Sequence, residues 1–368
     1  LKMKVPYNYL FHQFNDFENY LPDLKKLVDS GEFTLGPFVK KFEEKFANYV
    51  GVKHAIGTNT GTGALTLSLK AIGAKPGTEV ITVANTFIAT VGAIIATGAK
   101  PVFVDCDDRY QIDIKKIETA ITEKTIAILP VHWAGCPPDM KEIMSIASRK
   151  NISVVEDACP AVGAKIEDKF AGTFGDVNAF SMHPLKPLNV WGDGGIIVTD
   201  NDDLANWIRL YRNHGLLDRD HIEIWGVNER LQPFQAVVGN RVLDTVDKLV
   251  EKRIHNAKLY DKKLADLYPR VRVPERPEKY KEVYQLYLAS VDDRDELVKY
   301  LIEKNIEVKI HYPIPIHLQN AAKELNYKLG DFPICEKQAD ELITLPGHQF
   351  INDDQIDYVV QNIKNFYS

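Results

Sequence analysis

The chain has 368 residues, of which 45% are hydrophobic and 26% charged, an ordinary balance for a globular protein with room for a buried cofactor. That length suits two units, or one large α/β unit with an appendage. A formal net charge of -6 and an isoelectric point near 6.0 exclude nucleic acid as a bulk partner, because phosphate backbones need clustered positive charge.

Residues 1–35 read as an arm, with FNDFENYLPDLKKLVDSGEF forming one or two short helices that end near Gly31. VKKFEEKFANYVG, from Val39 to Gly51, has apolar residues at helical spacing and a glycine stop. Strand and helix then alternate. ALTLSLKAIG is a helix, EVITVA a strand, TFIATVGAIIATG a helix, PVFVDC a strand and KKIETAI a helix. TIAILPVH is a strand, DMKEIMSIASRK a helix and ISVVEDA a strand. The strands are short β-branched runs with little alternation, so both faces are expected to be buried in a mainly parallel sheet flanked by helices. FGDVNAFSM and GGIIVTD extend the sheet, and LANWIRLYRNHG adds a helix. The long charged amphipathic stretch from Thr245 bridges to a smaller α+β unit with helix DELVKYLIEK, strand IEVKIHY and a final helix from about Asp353. The expected division is therefore 1–245, arm included, and 246–368.

Cys106, Cys136, Cys159 and Cys335 form no CxxC pair, so they are expected to be reduced core residues and no metal site is expected. LKMKVPYNYLFHQF has no apolar leader core, and no apolar run reaches the ~18 residues of a membrane helix. The expectation is a cytoplasmic protein with no membrane partner.

Three segments carry candidate chemistry. TNTGTGALTLSL (58–69) is a glycine-rich turn feeding a helix N-terminus, where the free N–H groups of Gly61 and Thr62 suit a phosphate. By itself it reads better as a plain helix cap. VVEDACPAVGA (154–164) puts Asp157 at the C-terminal end of a buried strand, the end where open α/β sheets bind ligands; a carboxylate capping the next turn is an equal reading. FSMHPLKPLNVWGDGG (180–195) places Lys186 in a loop bracketed by proline and glycine, with Ser181 upstream. Most loop lysines are merely solvated. Together, in this order, the three are what pyridoxal 5'-phosphate (PLP) requires. Its phosphate needs an anion cradle, its ring nitrogen a carboxylate, and its aldehyde a lysine amine. Phe87, just past a strand end, is placed to stack on a flat ring.

At this point the chain resembles the DegT/DnrJ/EryC/StrS family of PLP-dependent sugar aminotransferases, over about residues 30–368. The resemblance is carried by TGTGAL, TFIATVGAI, GAKPVFVDCD, VVEDACPAVGA, FSMHPLKPLNVWGDGG, YRNHG, GVNERLQPFQAVVG and HYPIPIHLQ. It implies fold type I, with a mixed, mainly parallel sheet, and it implies a homodimer with shared sites. It also implies roles. Lys186 bonds the cofactor aldehyde, Asp157 pairs with the ring nitrogen and Phe87 stacks on the ring. Gly61, Thr62 and Ser181 hold the phosphate, and Asn228 reaches it across the dimer. One departure is Pro160, where the family has Gln or His beside the cofactor's phenolic oxygen. A branch that replaces the lysine with histidine dehydrates its sugar; Lys186 favours transamination.

The implied reaction moves an amino group from L-glutamate to a keto-sugar. Arg230, Lys309 and His311 are candidates for binding donor or acceptor, although solvation or packing explains each as well. Trp191 and Trp225 are either stacking faces or, better, packed core residues. NTGTGALTL, DCDDRYQID and PVHWAGCPPDM are similar to the branch that aminates a free keto-octulosonate of lipopolysaccharide synthesis, which is the expected acceptor. A nucleotide-linked keto-deoxysugar is the alternative, as is a PLP-binding regulator without turnover.

Overall fold

A computed structural model describes residues 3–368. Its central sheet is built in two parts. Four parallel strands lie in the order Lys100–Val104, Glu79–Val83, Thr125–Leu129 and Ser153–Val154. Three more, Asn178–Ser181, Gly195–Thr199 and His54–Thr58, pair antiparallel. The two parts meet at Asp157, which bridges in parallel to Val131 on one side and to Ala179 on the other. The result is the expected mixed, mainly parallel sheet.

Both faces are buried, as the unbroken apolar runs require. Val80, Ala127 and Leu129 pack under the helices Gly61–Ala71 and Ile88–Ala96, while Ile81, Val83 and Ile128 pack against Ile143 and Ile146 of the helix Met140–Lys150 on the opposite side. The glycine stops act as read. Gly31 and Gly51 end the helices Leu21–Ser30 and Gly36–Val50 in the left-handed conformation, with φ of 68° and 76°. All four cysteines are buried and unbridged.

A second core forms where the helices Val246–Leu264, Arg294–Glu303 and Asp353–Tyr367 cover one face of the strands Val271–Arg272, Tyr287–Val291 and Leu342–Leu345. Two features depart from the sequence reading. IEVKIHY is not a continuous strand: only Ile306 and Lys309 make isolated bridges, to Val5 and Thr344. The arm also does not simply join the first unit. Val5 is fully buried in the second core, donating to Asn305 O at 3.0 Å and accepting from Glu307 N at 2.9 Å. Trp191 packs in the arm's aromatic cluster, stacked 5.6 Å from Phe17, whereas Trp225 is 88% exposed and is no core residue.

Glu156 holds the centre from below. Its fully buried carboxylate accepts from the backbone N–H groups of Gly172 (2.7 Å), Phe174 (2.5 Å) and Gly175 (2.7 Å), and it pairs with His132 Nε2 at 2.8 Å. The 172–175 turn is thereby fixed under the strand that ends in Asp157. Glu156→Ala strands several buried donors, and the loss of even one such bond to a charged group costs roughly 1.5–3 kcal/mol. Its thermal midpoint should fall by several degrees; an unchanged melting curve would show that the turn does not depend on the carboxylate.

Candidate active site

The site is assembled at the C-terminal ends of the parallel strands. Asp157 is held there by main-chain bonds on both flanks. His132 N donates to its carbonyl at 3.0 Å, its own N–H reaches Pro130 O at 2.9 Å, and Ala158 N donates to Ala179 O at 2.9 Å. Side chains alternate along a strand, so Glu156 and Asp157 point to opposite faces. Asp157 is only 4% exposed. Oδ2 accepts from Thr90 Oγ1 at 2.7 Å and Oδ1 from Cys159 N at 3.2 Å. Thr90 in turn bonds Thr86 at 2.7 Å.

Thr60 caps the helix Gly61–Ala71 by accepting from Gly63 N at 2.8 Å, which leaves the N–H groups of Gly61 and Thr62 without helical acceptors. Gly61 has no room for a side chain: a Cβ would come within 2.7 Å of Ser181 Cβ and 3.2 Å of Cys159 Sγ. Gly195 likewise lets its strand pass under this turn, since a Cβ there would meet Thr60 O at 2.2 Å. Thus Gly61, Ser181, Cys159 and Asp157 converge, with Thr62 next along the helix.

Lys186 enters the same group from its loop. The loop is fixed by Lys186 N to His183 O (2.9 Å), Asn189 Nδ2 to Lys186 O (2.9 Å) and Val190 N to Met182 O (3.1 Å). Burial pushes the Lys186 ammonium below the ordinary lysine range, opposed by the nearby Cys159 and Asp157. Burial also pushes the Cys159 thiol up, so it is a neutral neighbour. Phe87 caps the helix Ile88–Ala96 and is 55% exposed, with Tyr312 6.2 Å away and Trp133 5.7 Å beyond. Pro160 lies in a tight turn closed by Ala161 N to Ala158 O at 2.8 Å, and this turn offers no side-chain donor.

The remaining sequence candidates divide. His311 lies near Lys186; its Nδ1 pairs with Thr344 Oγ1 at 2.6 Å, and burial pushes its pKa down to about 4, with Lys186 and Lys309 adding to the effect. Lys309 is exposed two residues away, over the Tyr7 ring at 6.0 Å. Arg230 instead bonds Asn213 Oδ1 at 3.0 Å, and Asn228 is exposed and bridged to Asn213, so neither joins the Lys186 group within this chain. Between them, Glu229 points the other way, toward Gly63. Sequence reasoning missed Thr86 and Thr90. Their signal was two threonines four apart at a helix start facing a strand-end acid.

The arrangement can bind a phosphate at one end, a cationic ring nitrogen at the other, and an aldehyde between them. A sequence model of the DegT/DnrJ/EryC1/StrS aminotransferase family matches residues 16–364. The chain is 39% identical over 371 residues to a pleiotropic regulatory protein of Geobacillus stearothermophilus, covering 99% of each. It is 34% identical to a dTDP-3-amino-3,4,6-trideoxy-alpha-D-glucose transaminase of Micromonospora megalomicea subsp. nigra, covering 97% of each. Among solved structures, S. venezuelae DesV in complex with a ketimine intermediate superposes with a TM-score of 0.96 at 34% identity, covering 99% of this chain and 98% of that one.

His348, like His311, is pushed down to about 4, chiefly by burial. Each is neutral in the folded chain and charges readily once unfolded. Protons therefore bind the unfolded state more between about pH 6.5, the ordinary histidine value, and about pH 4. Stability should be fully present above that window and decline as pH falls through it. Melting midpoints across this range test it, and a flat profile, or both rings titrating normally by NMR, would refute it.

Proposed function

The chain belongs to the DegT/DnrJ/EryC1/StrS aminotransferase family and is a PLP-dependent transaminase of fold type I, and from that premise we propose that it aminates a nucleotide-linked keto-deoxysugar at the site built around Lys186 and Asp157. The observation that carries the site is the convergence at Asp157 of a helix N-terminus, a threonine-held carboxylate and a lysine whose charge is disfavoured by burial.

The residues fit the cofactor. The N–H groups of Gly61 and Thr62 with Ser181 Oγ would hold the phosphate, and Phe87 would cover the ring. Asp157, steadied by Thr90, would pair with the ring nitrogen and favour its protonated form. Bound there, PLP supplies an electron sink at the carbon that gives up the amino group. Lys186 Nζ is the amine that would hold the aldehyde, and as a free base it would take the proton from the substrate carbon and return it nearby. Its buried setting keeps the amine neutral at lower pH than an exposed lysine, as a base requires. L-Glutamate is the proposed donor.

The acceptor reading moves from the octulosonate to a nucleotide-linked sugar. The dTDP-sugar transaminase relative supports it, and the short motifs that suggested the octulosonate branch have no matching support. A regulatory role without turnover is favoured by the name of the Geobacillus relative, whereas the intact Lys186–Asp157 pair favours turnover. Asn228 and the exposed Leu217, Ile222 and Trp225 share one loop, which supports a second copy packing here and Asn228 reaching its partner's phosphate.

Run in reverse with 2-oxoglutarate, a dTDP-linked amino-deoxysugar should yield glutamate while the 8-amino octulosonate does not, and Lys186→Ala should lower the rate about 10²–10⁴-fold. Borohydride should fix the pyridoxyl group on Lys186. Turnover of the octulosonate alone would restore that acceptor, and label on another lysine would remove the site.

For the dimer, sedimentation at assay concentration should show two copies, with Asn228→Ala losing PLP on dialysis faster than wild type. A fully active monomer would discard the cross-subunit role.

A further inference from the structure

Arg253 sits on the helix Val246–Leu264 and is 2% exposed. Its bonds go to neutral oxygens: Nε to Gln349 Oε1 at 2.9 Å, and Nη1 to Tyr284 O at 3.1 Å and Gln285 O at 3.3 Å. Nη2 is buried with no partner, and among the described residues no acidic side chain pairs with this guanidinium. Arginine stays charged at any working pH, and a buried charge without a counter-charge is strongly unfavourable. Tyr9 lies beside it, its ring 5.3 Å from Arg253 Cζ; it is 4% exposed, and its hydroxyl is also buried and unpartnered.

Both groups border a cavity of about 70 Å³ that Tyr7, Leu185 and His311 also line. Leu185 is the neighbour of Lys186, and His311 lies within electrostatic reach of the Lys186 amine. The space is several times the roughly 10–15 Å³ that a cavity needs to admit one water, which leaves room for a small acid group. A water would satisfy the hydrogen bonds yet leave the charge unbalanced. A carboxylate satisfies both, because the free Nη2 of Arg253 and the Tyr9 hydroxyl can each donate to one of its oxygens.

We propose that Arg253 and Tyr9 form a carboxylate subsite that receives one end of the dicarboxylic amino donor. This rests on the transaminase reading with glutamate as donor. It also explains why the arm is stitched to the second core at Val5: that stitch sets Tyr7 and Tyr9 over the cavity beside Lys186.

Glutarate, which has no amine to transfer, is the probe. Calorimetric titration of the holoenzyme should show glutarate binding that sodium chloride at equal ionic strength does not reproduce. Tyr9→Phe, which removes a hydroxyl with no protein partner and so spares the fold, should weaken glutarate and raise the KM for glutamate by roughly tenfold each, leaving the KM for the amino sugar unchanged. Arg253→Gln should abolish glutarate binding; if it does not fold, Tyr9→Phe decides alone. Glutarate affinity and glutamate KM unmoved in Tyr9→Phe, or chloride matching glutarate, would overturn the subsite. A protein that turns nothing over yet loses glutarate in the variants would sink the transaminase reading and keep the subsite.

Discussion

The main-chain seat of Asp157 is the constraint on which the rest depends. A parallel sheet half and an antiparallel half have different hydrogen-bond patterns, and here one residue serves both. Its own N–H and C=O bond Pro130 and His132 on one side while its neighbours Glu156 and Ala158 bond Ala179 on the other, so the main chain delivers the carboxylate to the sheet's open end. Glu156 enforces this from the opposite face by consuming the N–H groups of the 172–175 turn. Consecutive acids thus have different surroundings because a strand turns them apart, one anchoring the 172–175 turn and the other bonded to Thr90 near Lys186.

Around that seat, close approach substitutes for specific contact. The Gly61 turn, the Ser181 strand end and Cys159 pack so tightly that a single added carbon has no place. The helix N-terminus is held directly over the carboxylate's neighbours, with its dipole and free N–H groups aimed at the same space. Lys186 is brought in by a loop whose bonds are nearly all to its own backbone. His311 and Arg253 come from the chain beyond residue 245, whose strands also pack Leu288 and Leu342 against the parallel-strand core.

Much of this was legible. The strand Glu79–Val83 and its neighbours announced themselves as β-branched runs, and the helices ending at Gly31 and Gly51 by spacing and stop. Asp157, Lys186, Gly61 and Ser181 were readable because each sits at a local break in pattern, a strand end or a glycine-rich turn. Thr90 and Arg253 were not, since each acts through a partner far along the chain: Thr90 lies 67 residues from Asp157 and Arg253 bonds Gln349, 96 residues on. Burial makes Arg253 notable, and burial on a charged amphipathic helix leaves no mark in its composition. IEVKIHY was misread for the opposite reason. Its alternation is real, but it has a partner only at Val5 and Thr344, so the ladder never becomes continuous.

The double anchoring of position 157 separates architecture from reactivity. Because backbone groups carry the strand pairing through that point, the pairing itself does not require the carboxylate, which bonds only Thr90 and the Cys159 N–H. A lineage could therefore silence or retune the chemistry by one substitution and keep a molecule of the same outline, with its surfaces intact for other duties. Look-alike proteins with a sensing role and none in synthesis are what such a joint permits.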